Sequence, residues 1–142
     1  MRLSAKAEYA CIALLDLAAS HDEPQPMPVK AIADAHSIDQ RFLVQILLQL
    51  KTAGLVMSTR GASGGYKLAR SPHAITLADV IDVVAGDPPI RFALQESSSH
   101  TVEAVHNVWK EIQAHEQKIL EQTTLAELLR RARESHALSY QI

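Results

Sequence analysis

Apolar side chains return every three or four positions through most of this chain, which is the spacing that places them on one face of an α-helix. Residues 4–19 are apolar on most sides, so we expect them to form a helix at the centre of the fold. Residues 28–35 predict a shorter second helix. Residues 39–53 predict a third helix, whose apolar stripe consists of Phe42, Leu43, Ile46, Leu47 and Leu50.

Capping residues mark the ends of the second and third helices. Pro28 suits a first helical turn, where a missing amide donor costs nothing. The carboxylate of Asp39 suits the cap of the third helix because it accepts amide protons of the first turn, and Gly54 is typical of a helix end. The short connection 36–38 gives the two helices the geometry of a helix-turn-helix unit.

Two short strands, 55–59 and 66–70, follow the third helix and are joined by the glycine-rich loop 60–65. A helix followed by such a hairpin is the ending of a winged helix-turn-helix, in which a helix enters the DNA major groove and the hairpin reaches beside it. Amphipathic helix pairs and glycine hairpins are also common in proteins that bind no DNA, so this pattern alone does not decide the function.

The second half of the chain predicts three more helices and one long loop. Thr76 caps a helix that ends at residues 86–89. Residues 89–101 show no apolar period and are interpreted as a loop. A capping-box spacing that begins at Thr124 opens the last helix, which we expect to fray after Arg133.

The helix between the loop and the last helix carries a line of apolar residues spaced like a coiled-coil seam, broken only at Glu116. Its members are Val102, Val105, Trp109, Ile112 and Ile119. This seam predicts a dimerisation helix; packing against the protein's own first helix is the alternative. The fold class is therefore mainly α with a small β-hairpin. We expect a winged helix-turn-helix domain at 1–85, a linker at 86–101 and dimerisation helices with a tail at 102–142.

Charge is distributed unevenly along the chain. The 142 residues carry a net charge of −2, yet the segment 38–70 holds five basic residues against one acidic residue. A local basic stripe is the electrostatic footprint of a phosphate binder, so the charge favours double-stranded DNA as the partner. The basic members are Arg41, Lys51, Arg60, Lys67 and Arg70.

The composition bounds the class of protein. Hydrophobic residues make up 47% of the chain, which is ample for a core. The apolar run at 10–15 is interrupted by Asp16 and is too short to span a bilayer, so we expect no membrane association. The single cysteine, Cys11, excludes an intramolecular disulfide and suits a reducing cytoplasm. Nothing near Cys11 in the sequence supplies the setting of a redox or metal thiol, so we expect it to pack as a small hydrophobe.

Sequence patterns for catalysis are missing. The chain contains no nucleophile elbow, P-loop or dinucleotide-binding glycine pattern, and Ser63 lies on a hairpin rather than at a strand-to-helix turn. The seven histidines are scattered, with none paired at the helical i, i+4 spacing. We therefore do not expect an enzyme.

The opening MRLSAKAEYA, the wing at 60–66 and the overall length together resemble the Rrf2 family of bacterial transcription regulators. The usual family wing has a proline and a glycine where this chain has Ala62 and Ser63, while Arg60, Gly64 and Gly65 are kept. The resemblance covers nearly the full chain. It implies a winged helix-turn-helix protein that dimerises through its long helix.

Some members of that family hold an iron–sulfur cluster, and the resemblance places His106 at a histidine that follows three cysteine ligands. Residues 89–105 contain no cysteine here, and Cys11 with His106 is not enough for clusters held chiefly by thiolates. One branch uses an N-terminal glutamate, matched by Glu8, but it also needs cysteines from the loop. The resemblance thus implies the cluster-free branch, with no metal or cofactor, typified by a repressor of cysteine metabolism. An effector protein or a small ligand then remains as the source of a signal.

We therefore expect a homodimeric, sequence-specific DNA-binding regulator of transcription, acting as a repressor in the cytoplasm. Glutamine and arginine suit the base edges of adenine and guanine, and an arginine on the wing suits a narrow minor groove. The alternative is a winged helix that binds protein and has little DNA affinity. The residues expected at the DNA are Arg2, Lys6, Tyr9, Gln40, Arg41, Val44, Gln45, Arg60, Gly61, Gly64 and Gly65.

Overall fold

The first half of the chain folds into the two-helix unit and hairpin that the sequence predicts. The computed structural model describes residues 3–86, 91–94 and 99–141. Its elements are α1 (Ala5–Ala19), α2 (Val29–His36), α3 (Gln40–Thr52), β1 (Val56–Thr59), β2 (Gly65–Leu68), a 3-10 turn (Pro72–Ala74), α4 (Leu77–Val84), α5 (His100–Gln122) and α6 (Leu125–Gln141). The mainly α fold class with a small hairpin is confirmed. Among the described residues, no helix combines the length and the apolar content needed to cross a membrane.

The helix α1 is central, as its apolar composition predicts. The Ser4 hydroxyl caps it by accepting the amide of Ala7 at 3.1 Å. Its buried residues are Ala7, Ala10, Ala13, Leu14, Leu17 and Ala18. Because most of these side chains are methyl groups, α3, α4 and α6 can all pack closely against α1.

The helix-turn-helix is closed by caps on both sides of its turn. Ser37 ends α2 with a φ of 55°, and the Asp39 carboxylate accepts the Phe42 amide at 3.0 Å to begin α3, as predicted. Gly54, with a φ of 80°, follows the end of α3, also as predicted. The placement of Pro28 inside the first turn of α2 was wrong. Pro28 is the extended cap residue, with a ψ of 142°, because the chain before it is held straight by the wing.

The wing contains one more strand-like residue than the sequence suggests. The two strands pair antiparallel, with Val56 opposite Leu68 and Thr59 opposite Gly65. Met27 lies in the segment 20–28 between α1 and α2, called the linker from here on, and it bridges the outer edge of β2. Its amide donates to the Tyr66 carbonyl at 2.9 Å, and its carbonyl accepts the Tyr66 amide at 2.8 Å. The linker therefore acts as a short third strand that fixes the wing against the helices.

A second backbone bridge joins the start of α4 to the start of α6. The Leu77 amide donates to the Thr123 carbonyl at 2.8 Å, and the Leu125 amide donates to the Ile75 carbonyl at 2.9 Å. Thr76 caps α4 as predicted, and it forms a reciprocal capping box with Asp79. The bridge returns the chain to the first half of the molecule, where α6 packs on α1.

The two long helices differ in how they use their apolar side chains. The helix α5 packs chiefly on α4 and has no buried residue, whereas Leu125 of α6 is fully buried in the core shared with α1. The division of the chain at residues 86 and 101 stays a prediction. Residues 87–90 and 95–98, where the sequence predicts a helix end and a loop, lie outside the described residues.

The helix α6 continues to Gln141, so the expectation that it frays after Arg133 was wrong. Arg130 pairs with both Glu127 and Glu134 along one face, and such pairs support a helix without any apolar period. Hydrogen bonds from Arg130 and then Arg131 lower the pKa of the Glu127 carboxyl from 4.5 to about 2. The support that Glu127 gives is therefore complete above the higher value and is lost as the pH falls toward the lower one.

Leu125→Ala should lower the free energy of unfolding by about 2–5 kcal/mol, because it leaves a cavity where a fully buried side chain joins α6 to the core. Leu138→Ala is the matched control on the same helix. The Leu138 side chain is 63% exposed, so that substitution should change stability by no more than about 0.5 kcal/mol. Urea denaturation measures both values, and equal effects would contradict the packing of α6 into the core.

Candidate nucleic-acid interface

One side of α3 is buried in the core and the other is open to solvent. Leu43, Ile46 and Leu47 are completely buried. On the opposite side Gln40, Arg41 and Gln45 are exposed, and Val44 between them is half-buried. The outward side therefore presents two amide groups and a guanidinium, which are groups that hydrogen-bond to base edges and phosphates.

The first turn of α3 is held in place by contacts that leave its polar side free. The rings of Tyr9 and Phe42 meet edge to face, with their centroids 5.8 Å apart. The His36 imidazole, at the end of α2, lies 2.7 Å from the Asp16 carboxylate on α1. The ring contact holds the start of α3 on α1, and the His36 contact holds the end of α2 on the same helix, so the helix-turn-helix unit is fixed on α1.

Arg60 follows β1 at the tip of the wing, where its side chain is exposed to solvent. Its guanidinium makes no hydrogen bond or ion pair with any residue in the described part of the chain, so it is free to bind an external group. Gly61 follows with a φ of 107°, a conformation that favours glycine and that turns the chain directly behind the arginine. Thr59 and Ser63, which the sequence analysis did not place at the DNA, add exposed hydroxyl groups on either side. Their position within three residues of Arg60 in the sequence would have been enough to include them among the residues expected at the DNA.

Gly64 and Gly65 have a reason within the protein itself. A Cβ atom at Gly64 would lie 2.2 Å from the Thr59 carbonyl oxygen, and one at Gly65 would lie 2.2 Å from the Met27 carbonyl oxygen. Both distances are far below contact distance, so the two glycines allow the wing to close on itself and on the linker. Close approach of these glycines to DNA remains a prediction.

The residues expected from the start of the chain are less uniformly placed. Lys6 and Tyr9 are half-buried on α1, and Tyr9 packs on α3 through Phe42. Tyr9 therefore helps to position α3, and its contact with a DNA phosphate remains a prediction. Arg2 lies outside the described residues.

The basic stripe that the sequence predicts is largely available to a partner. Arg41, Lys51, Arg60 and Arg70 are all exposed. Lys67 is different, because its amino group donates to the backbone carbonyl of Glu23. That contact ties the wing to the linker, a role that charge counting along the chain could not reveal.

Cys11 and His106, the side chains considered for a metal or redox role, lie on different helices. Cys11 is half-buried on α1, and burial raises the pKa of its thiol. The His106 ring stacks on the Phe92 ring with their centroids 3.9 Å apart. Within 3–86, 91–94 and 99–141, no three His, Cys, Asp or Glu side chains come together in a way that would hold a metal ion.

Solved structures of two bacterial regulators share this fold. The structure of CymR, titled the global cysteine regulator of B. subtilis, matches with a TM-score of 0.83 and 33% identity, covering 92% of this chain and 98% of that chain. The T. potens IscR structure matches with a TM-score of 0.73 and 35% identity, covering 95% of this chain and 90% of that chain.

Sequence comparison leads to the same group of proteins. The HTH-type transcriptional regulator CymR of Bacillus subtilis is 35% identical over 129 residues, which are 90% of this chain and 89% of the relative. The regulator IscR of Vibrio campbellii is 32% identical over 132 residues, which are 92% of this chain and 78% of the relative. The Rrf2 family, described as an iron-dependent transcriptional regulator, matches residues 3–131. This chain therefore belongs to the Rrf2 family of winged helix-turn-helix transcription regulators.

Proposed function

We propose that the protein is a homodimeric, sequence-specific DNA-binding repressor of the cytoplasm that works without an iron–sulfur cluster. The observation that carries the DNA-binding proposal is the pairing of two exposed surfaces on one rigid body. One is the polar outward side of α3, and the other is the unpartnered Arg60 on the wing. The opposite side of α3 is fully buried, and the wing is held to the helices by the bridge of Met27 and Tyr66, so both surfaces belong to one packed body.

The two surfaces suit different grooves of the same duplex. An α-helix fits the major groove, where Gln40 and Gln45 would pair with adenine edges and Arg41 with guanine or a phosphate. Arg60 on the narrow wing would enter the adjacent minor groove, where A·T tracts attract arginine. Val44 would contact a thymine methyl group, and Arg2, Lys6 and Tyr9 would contact phosphates beside the first helix.

The proposal of a homodimer rests on the seam of α5, in which Val102 is half-buried and the other four side chains are exposed. In the single chain Val105, Trp109 and Ile112 are 52%, 53% and 47% exposed, and Ile119 is 63% exposed. The protein's own first helix leaves these side chains exposed, which supports pairing with a second copy over the alternative of packing on that helix. A second copy pairing through α5 would bury them, and a two-fold dimer would offer two α3 helices to successive major grooves, ~34–36 Å apart.

The residues present do not fit an iron–sulfur cluster. Such clusters are held chiefly by cysteine thiolates, whereas this chain has one cysteine, half-buried on α1 with a raised thiol pKa. His106, which corresponds to the histidine ligand of cluster-bearing family members, has one face of its ring stacked on Phe92. We therefore propose that a protein partner or a small ligand controls DNA binding.

Arg60→Ala should weaken operator binding by about 1–3 kcal/mol, because it removes the wing's guanidinium from the groove. Stability should hardly change, since Arg60 is exposed. Arg131→Ala, which removes one positive charge from exposed α6, is the control and should leave affinity unchanged. Fluorescence anisotropy at matched salt measures the difference. Equal operator affinity of the Arg60 variant and the wild type would contradict the wing assignment. If neither the wild type nor either variant binds DNA, the result favours the alternative of a winged helix that binds protein.

Trp109→Ala should dissociate the dimer, at a cost on the order of 3–5 kcal/mol if the indole packs in the interface. The monomer fold should survive, because the side chain is 53% exposed within one chain. Lys110→Ala, at the neighbouring exposed position of α5, is the matched control and should leave the dimer intact. Sedimentation velocity at micromolar concentration measures the state of each protein, and a monomeric wild type would rule out the seam.

Protein purified without oxygen should contain no bound cluster. The test combines iron and acid-labile sulfide analysis with visible absorption spectra. We expect neither stoichiometric iron and sulfide nor cluster absorption bands, because the chain lacks the thiolates that hold them. Stoichiometric iron and sulfide with cluster bands would overturn the cluster-free proposal and would point to Cys11, His106 and Glu8, completed by a second subunit.

A further inference from the structure

A cleft of about 750 Å³ opens between the C-terminal end of α1, the 3-10 turn after the wing, and α6. It lies apart from the outward side of α3 and from the seam of α5. Its volume falls within the range of roughly 300–1,000 Å³ that is usual for small-molecule sites. The cleft is bounded by three separate elements, which are joined by the packing of α6 on α1 and by the bridge at Thr124.

The cleft wall divides into an apolar part and a charged part. Ala18, Ala19, Leu129 and Ala137 supply aliphatic surface. The charged part comes mostly from α6, where Glu127, Arg130, Arg133 and Glu134 all line the cleft. A ligand that fits both parts needs a carbon skeleton and a polar group.

The two arginines are not equally available. Arg130 is neutralised by Glu127 and Glu134, with which it forms ion pairs on the helix surface. Arg133 forms no hydrogen bond or ion pair with any residue in the described part of the chain. The cleft therefore offers one free guanidinium, and a guanidinium binds a carboxylate through two parallel hydrogen bonds.

Two imidazoles stand on the side of the cleft opposite α6. The Nδ1 atom of His21 is buried and has no hydrogen-bond partner among the described residues, which is an uncommon state for a buried polar atom. His73 lines the cleft from the 3-10 turn. Asp22, also in the wall, would repel a second negative charge on a ligand. Glu127 and Glu134 also line the wall but are paired with arginines, so the wall favours one negative charge over two.

We propose that this cleft binds a small monocarboxylic acid with an apolar skeleton. Arg133 holds the carboxylate, the aliphatic wall takes the skeleton, and the imidazoles of His21 and His73 supply further hydrogen bonds. The 3-10 turn follows β2 after only Ala69, Arg70 and Ser71, and the Ala69 amide is tied to the Leu55 carbonyl at 3.0 Å. An occupant that bridges this turn and α6 therefore acts next to the base of the wing. This last step rests on the proposed function.

The binding test uses the full chain without DNA. Isothermal titration with valerate and benzoate, each up to about 10 mM, is compared with valeramide and benzamide, which keep the skeleton and lose the charge. We expect the acids to bind and the amides to bind at least tenfold more weakly, since a charge-assisted pair is lost. Inorganic phosphate tests the anion without the skeleton and should not bind.

Variants assign the binding to the cleft. Arg133→Ala should weaken acid binding by tenfold or more, whereas Arg131→Ala, two positions earlier on α6 and outside the cleft wall, should stay within about twofold of wild type. Both side chains are exposed, so both variants should fold, which thermal melting verifies. No binding of either acid, equal binding of acid and amide, or equal loss in the two variants would each overturn the proposal.

A separate measurement tests the effect on DNA. Operator affinity is measured with and without saturating acid, and a ligand changes it only if it binds the DNA-competent and incompetent states unequally. A change that disappears in the Arg133 variant supports the regulatory step. Acid binding with unchanged operator affinity keeps the site and overturns its regulatory role, whereas failure of DNA binding altogether overturns the proposed function and leaves the titration result standing.

Discussion

Close packing against α1 is the constraint on which the rest of the structure depends. Ala10 and Ala13 are completely buried, and their small size lets the neighbouring helices approach the axis of α1. A larger side chain at either position would force apart the helices that pack on α1. The side of α3 that faces solvent is therefore positioned by alanines that make no contact with any partner.

Two isolated backbone bridges extend this packing to the hairpin and to the C-terminal helix. The bridge of Met27 and Tyr66 fixes the wing, and the bridge of Thr76 and Thr124 fixes α6. Each bridge consists of a single residue pair, so it joins two distant segments of the chain without a longer sheet. By contrast, α5 has no bridge of this kind among the described residues and keeps its apolar side chains exposed.

Local signals in the sequence were enough for most of the helices, because a cap and an apolar period act over one or two turns. Asp39, Gly54 and Thr76 each end or begin a helix where the sequence places them. Contacts between distant segments were not predictable in this way. The bond from Lys67 to the Glu23 carbonyl spans 44 residues, and nothing in either segment announces it.

The candidate site shows the same division between local and distant effects. The exposure of Gln40, Arg41 and Gln45 followed from helical spacing, since the buried stripe leaves only one side for polar residues. The requirement for glycine at 65 was anticipated as a need for close approach to DNA, but the nearest atom is the backbone of Met27. The persistence of α6 to Gln141 was missed because its support comes from ion pairs rather than from an apolar period.

The linker before α2 acts through its length more than through its composition. Two of its contacts with the wing, at Glu23 and at Met27, use backbone groups on the linker side. Because these contacts are made by backbone groups at fixed positions, adding or removing one residue between them would shift the Met27 groups relative to β2. Replacing an exposed side chain in this linker leaves these backbone contacts in place, whereas inserting or deleting one residue would disturb them. The length of this linker is therefore more strongly constrained than the identity of its exposed side chains.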